Sequence, residues 1–93
     1  MSTARENVVV MKFGGTSVED AVAMRRTAAI VAGRRDRGLS AVVVVSAMAK
    51  VTDLMIASGA AAGRGDRVGA LAISERLRTR HVDTAAQLLE SPP

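Results

Sequence analysis

The sequence predicts an α/β fold, a parallel βαβ unit followed by helices on an incomplete sheet. Three observations carry that expectation. Val8–Phe13 and residues 39–46, the latter centred on Val42 to Val45, are near-continuous β-branched apolar runs, the pattern of strands buried on both faces. Between them, residues 18–32 place Ala21, Met24, Ala28 and Val31 at helical spacing, with Arg25 and Arg26 off that stripe. Beyond residue 46 two helical patterns flank a small-residue connection, and no third strand candidate appears in these residues.

Residues 1–7 are short and polar and read as a frayed tail. The first strand delivers Lys12, Phe13, the adjacent Gly14 and Gly15, and the hydroxyls Thr16 and Ser17 to the start of a helix. Glycines let backbone approach an anion, and a helix start offers unpaired N–H groups and a positive dipole end. Lys12 adds a full charge. The order of parts fits a phosphate site. It fits equally a plain strand-turn-helix junction, with Gly-Gly as the turn and Thr16 and Glu19 as a capping box. Two common phosphate motifs are excluded. A P-loop puts its lysine after the glycines, and the dinucleotide fingerprint needs spaced glycines and a third one.

The first helix is expected to end where Gly33 and Gly38 bracket Arg34, Arg35 and Arg37, cations that complement a helix C-terminus. A strand-helix-strand crossover is right-handed. The Gly14-Gly15 loop and the loop of residues 46–52 then leave the carboxyl ends of parallel strands on one sheet edge, where open α/β sheets bind ligands. Thr52 begins a short helix as a candidate N-cap, and Ser46 as a strand-end serine can bond its own backbone. Residues 57–67, with Gly59, Gly63 and Gly65, read as a flexible connection. Because these residues show no secretory signal, Arg64-Gly65-Asp66 is read as a chance match to adhesion tripeptides. A longer helix over residues 68–89 carries Ala70, Ile73, Leu77, His81, Ala85 and Leu88 on one stripe. It places the sole histidine among apolar residues as a packed side chain, and no second histidine accompanies it as a metal ligand.

Composition narrows the classes further. Ninety-three residues make one small domain or part of a larger one. There is no cysteine, so neither disulfides nor thiol ligands are available, which fits a reducing compartment. The N-terminus lacks the form of a secretory signal, and the longest apolar stretch, residues 39–49, is too short to span a bilayer. We expect a cytoplasmic protein with no membrane partner. The net charge of +4 raises the question of nucleic acid, but Phe13 is the only aromatic and the arginines are scattered, so no nucleic-acid partner is expected.

The stretch V-M-K-F-G-G-T-S-V-E-D, residues 10–20, resembles the N-terminal signature of aspartokinases, ATP-dependent kinases of the amino-acid kinase family that phosphorylate the side-chain carboxylate of aspartate. A second stretch, V-V-V-V-S-A-M-A-K-V-T-D-L at residues 42–54, resembles the family's second strand and the hydroxyl-bearing loop after it. The resemblance implies a partial amino-acid kinase fold, with residues 1–93 as the N-terminal fragment of a longer catalytic domain. It implies ATP with Mg²⁺ and L-aspartate as substrates, no tightly bound cofactor, and a homo-oligomer in the full-length protein. By the same resemblance, Lys12 stabilises charge on the phosphoryl group in flight and is the catalytic residue. Lys12, Phe13, Gly14, Gly15 and Ser17 form the ATP phosphate site, and Ser46 and Thr52 orient the aspartate. Lys50 stands where the family varies and receives no role. The family's further substrate carboxylate, nucleotide-base pocket and regulatory domains have no counterpart in these residues, so catalysis by this stretch alone is not expected. The alternatives are another amino-acid kinase with a different acceptor, or a non-catalytic remnant serving as a binding module with exposed strand edges.

Overall fold

In a computed structural model the described residues are 7–89. Residues 1–6 of the expected tail and the closing Glu90-Ser91-Pro92-Pro93 lie outside them. The chain forms two compact units that divide between Ser46 and Ala47.

The first unit is the βαβ unit. Strand β1 is Val8–Phe13, helix α1 is Ala21–Asp36 and strand β2 is Ser40–Val45. The strands pair in parallel, Val8 opposite Ser40 through Phe13 opposite Val45, in a two-stranded sheet. The fold class is therefore as expected: α/β, with an incomplete parallel sheet followed by helices.

Burial on both faces of the strands is not observed. Side chains alternate along a strand, so Val8, Val10 and Lys12 share one face with Ser40, Val42 and Val44. That face is open: Val10 is 68% exposed and Val42 51%. The opposite face carries Val43 and Val45, which with Met24, Thr27 and Val31 of α1 line an apolar groove of about 460 Å³. One helix covers only part of that face, and the apolar runs hold more valine than the unit itself can bury.

Helix α1 starts later than its sequence pattern suggests. Residues Gly15–Val18 form a 3₁₀ turn, and Asp20 is the N-cap of α1, its carboxylate accepting from the Ala23 N–H at 2.8 Å. The Thr16–Glu19 capping box is thus not the cap, because the turn places both residues ahead of the helix. The buried positions are Ala21, Ala23 and Thr27, while Ala28 is exposed. At the other end Gly33 is inside the helix and Gly38 terminates it. With φ +84°, Gly38 donates to the Arg35 carbonyl, and Leu39 N–H donates to the Arg34 carbonyl, a Schellman closure.

The second unit is a helical hairpin of α2, Val51–Gly63, and α3, Arg67–Leu89. The flexible connection expected over residues 57–67 is mostly helix, since the alanines between its glycines favour the α conformation over a loop. Only Arg64, Gly65 and Asp66 form the turn. Gly65 takes φ +80°, and the bonds Gly65 N–H to Ala62 O and Asp66 N–H to Ala61 O close α2. Asp66 then caps α3, accepting from Gly69 N–H at 2.9 Å. The Arg-Gly-Asp tripeptide is a helix-helix junction. Met48, Val51 and Ala61 are the buried apolar residues of the unit, and α3 buries none fully. His81 is exposed rather than packed, its Nδ1 2.7 Å from the Leu77 carbonyl, and Ala85 is exposed with it. The half-buried line of α3 runs instead through Ile73, Leu77, Arg80, Thr84 and Leu88. No helix among the described residues is long and apolar enough to cross a membrane.

Candidate phosphate and substrate site

The carboxyl edge of the sheet gathers most of the residues singled out from sequence. Lys12 and Phe13 are the last two residues of β1, Lys12 exposed on the open face and Phe13 half-buried on the other. The strand then delivers Gly14 in extended conformation, φ −81° and ψ −174°, as the residue capping the 3₁₀ turn. Beside it, β2 ends and Ser46 N–H donates to the Phe13 carbonyl at 3.2 Å, extending the parallel ladder by one bond.

This bond places the two loops together. A Cβ built on Gly15 would stand 3.7 Å from Ser46 Oγ, so the serine hydroxyl sits directly over the Gly15 backbone. At Gly14 nothing lies within 4 Å of such a Cβ, which leaves that backbone open to a ligand. Gly15 and Thr16 precede the first hydrogen bond of the turn, Ser17 N–H to Gly14 O at 3.1 Å, so their amides have no acceptor within it. The Ser17 amide is therefore engaged, and its carbonyl is held by the Thr27 hydroxyl at 2.6 Å. Only the Ser17 side chain remains for an anion.

Thr52 lies in the second unit, exposed at the second position of α2. It is not the N-cap. That position belongs to Lys50, with φ +68°, the one non-glycine residue of positive φ among the described residues. The apolar Val51 is buried and fixes the register of the helix start, leaving Thr52 facing outward.

Two structural residues escaped the sequence reading. Asp20 carried a signal, an acidic N-cap candidate immediately before the stripe beginning at Ala21. Thr27 carried none, being one polar residue in an alanine-rich helix. Among the described residues no group of three or more His, Cys, Asp or Glu is placed to hold a metal ion. What the edge presents is a cation, open glycine backbone and hydroxyls, a donor set for phosphate oxygens.

The profile of the amino acid kinase family matches residues 7–91. The chain belongs to that family. Its relatives are kinases whose names specify the acceptor. Over 94 aligned residues it is 40% identical to lysine-sensitive aspartokinase 3 of Escherichia coli (strain K12), covering 90% of this chain and 20% of that protein. Over 46 residues it is 48% identical to the aspartokinases of Mycobacterium bovis and Mycobacterium tuberculosis, covering 50% of this chain and 11% of each of theirs. The chain thus spans a fifth or less of the length of these relatives. No solved structure matches it. Family and relatives together make it similar to the N-terminal amino-acid kinase region of aspartokinases.

Proposed function

We propose that these residues form the phosphate-holding and aspartate-orienting part of an aspartate kinase, which transfers the γ-phosphoryl group of ATP to the aspartate side chain. The observation that carries the reading is the meeting of the Gly14-Gly15 turn and Ser46 at the carboxyl edge of the sheet, with Lys12 on the strand leading into it. The similarity to aspartokinases supplies the acceptor.

Phosphoryl transfer is mainly positioning and charge stabilisation. A carboxylate oxygen of aspartate bonds to the γ-phosphorus as the bridging bond to ADP breaks, giving aspartyl phosphate and ADP. Free aspartate, with an unperturbed side-chain pKa of roughly 4, is already ionised at neutral pH, so no general base is required. In this assignment Lys12 offsets charge on the phosphoryl group, Phe13, Gly14 and Gly15 present backbone to the phosphates, and the Ser17 hydroxyl adds a donor. Ser46 and Thr52 orient the amino acid. Mg²⁺ enters with ATP as part of the substrate. The product belongs to the synthesis of lysine, threonine and methionine, and the complete enzyme is a cytoplasmic homo-oligomer.

A panel of carboxylate and carbamate acceptors, assayed by ADP release from an intact kinase containing this segment, tests the reading. Turnover with L-aspartate above all other acceptors is expected, and preference for a different acceptor would assign the segment to another amino-acid kinase. The open valine face supports a second reading, a non-catalytic module that binds through its sheet.

A further inference from the structure

Within the helical hairpin, Lys50, Asp53, Leu54, Ala57, Arg76 and Arg80 line a cleft of about 450 Å³. Helical spacing explains the set. Positions 50, 53, 54 and 57 fall on one side of the start of α2, and positions 76 and 80, four apart, fall on one side of α3. Three cations and one carboxylate therefore face a single space, with Leu54 and Ala57 as its apolar wall.

Cations outnumber carboxylates in that lining. Arg76 and Arg80 are like charges one turn apart, which repel on a helix surface. The N-terminal end of α2, whose dipole is positive, opens beside Lys50. Elsewhere on α3, Arg78 lies 3.6 Å from Glu75. In the cleft, neither Lys50 nor Arg76 has an ion-pair partner among the described residues. One donor is also fixed in place, because the Arg80 guanidinium donates to the carbonyl of Ala49, the residue before Lys50.

We propose that this cleft binds a small oxyanion of two negative charges, a phosphate group or a dicarboxylate. Three cations against Asp53 leave a formal surplus of two positive charges, which such an anion neutralises. A guanidinium held at one edge and a second one turn away suit acceptors on a planar or tetrahedral oxyanion. None of these six residues has a part in the proposed kinase site, so the two assignments stand or fall separately.

The test is a titration of the ¹⁵N-labelled protein by NMR with inorganic phosphate and, separately, succinate, against sodium chloride at matched ionic strength. Saturable shifts at Lys50, Asp53, Leu54, Ala57, Arg76 and Arg80, the residues that line the cleft, are expected with at least one oxyanion. They should weaken about tenfold or more in Arg76→Gln and in Lys50→Gly, the loss of one charge-assisted contact. Lys50→Gly suits a backbone of positive φ, so its fold is safe from the substitution. Saturation by phosphate alone identifies a phosphoryl ligand, and saturation by succinate alone identifies a dicarboxylate. Shifts that match the chloride series, or that persist undiminished in both variants, would overturn the proposal.

Discussion

The hydroxyl of Thr27 donates to the main-chain carbonyl of Ser17 across ten residues of sequence, at 2.6 Å. It ties the second turn of α1 to the 3₁₀ turn that carries the glycines, and Thr27 is 8% exposed, so water does not substitute for it. Thr27→Val keeps the shape and removes the donor, leaving the Ser17 carbonyl unsatisfied at about 1–3 kcal/mol. We expect the urea midpoint to fall accordingly, with Thr27→Ser retaining most of the bond. Equal midpoints for Thr27→Val and the parent would show that the latch does not stabilise the turn.

Lys12 gives the sharpest functional prediction. In an intact kinase containing this segment, Lys12→Ala should lower kcat far more than it raises KM for aspartate. The size expected for a donor acting on transition-state charge is roughly a hundredfold or more. The lysine is exposed at the strand end, so the substitution leaves packing alone. An unchanged kcat would remove Lys12 from the chemistry and leave the glycine turn as a structural junction.

The parts legible in the sequence were those fixed by local chemistry. The valine runs announced two strands, and their parallel pairing followed from the helix between them. The Gly14-Gly15 and Ser46 loops fell on one edge because parallel strands end together. What escaped was set by packing and by competition between neighbouring signals. Thr16 and Glu19 have capping-box spacing, yet Asp20 lies nearer the first buried alanine and takes the cap. The glycines at 59 and 63 look like loop, yet the alanines among them carry α2 to Gly63. His81 and Arg80 are adjacent, and a rotation of α3 by less than one residue decides which faces α2. Arg80 does so, because its guanidinium has the Ala49 carbonyl to satisfy and His81 bonds within its own helix.

The open face of the sheet predicts association. Val8, Val10, Val42 and Val44 are exposed together on one face, bounded by Ser40 and Lys12, and both strands of the sheet have a free edge among the described residues. The 93-residue chain should self-associate with rising concentration in sedimentation velocity. Val10→Lys, at a position too exposed to disturb the fold, should shift it towards monomer. Monodisperse monomer at high concentration in the parent would count against a binding role for this face.

The helix-helix junction supports a prediction that separates two causes of stability. Gly65 has φ +80° with open space around its Cβ position, so Gly65→Ala meets no atom and carries only the backbone cost of the left-handed region, about 1 kcal/mol. Asp66→Ala instead removes the N-cap of α3, also at about 1 kcal/mol. Asp66→Asn keeps an acceptor for the Gly69 amide and should recover most of that loss, whereas Gly65→Asn should recover part of the other because asparagine tolerates positive φ. Chemical denaturation of the four variants distinguishes them. If Asp66→Asn were as unstable as Asp66→Ala, the carboxylate charge at the helix N-terminus would outweigh its hydrogen bond. The junction would then be held by that charge, through the dipole of α3 and the Arg64 guanidinium 3.6 Å away, rather than by the cap.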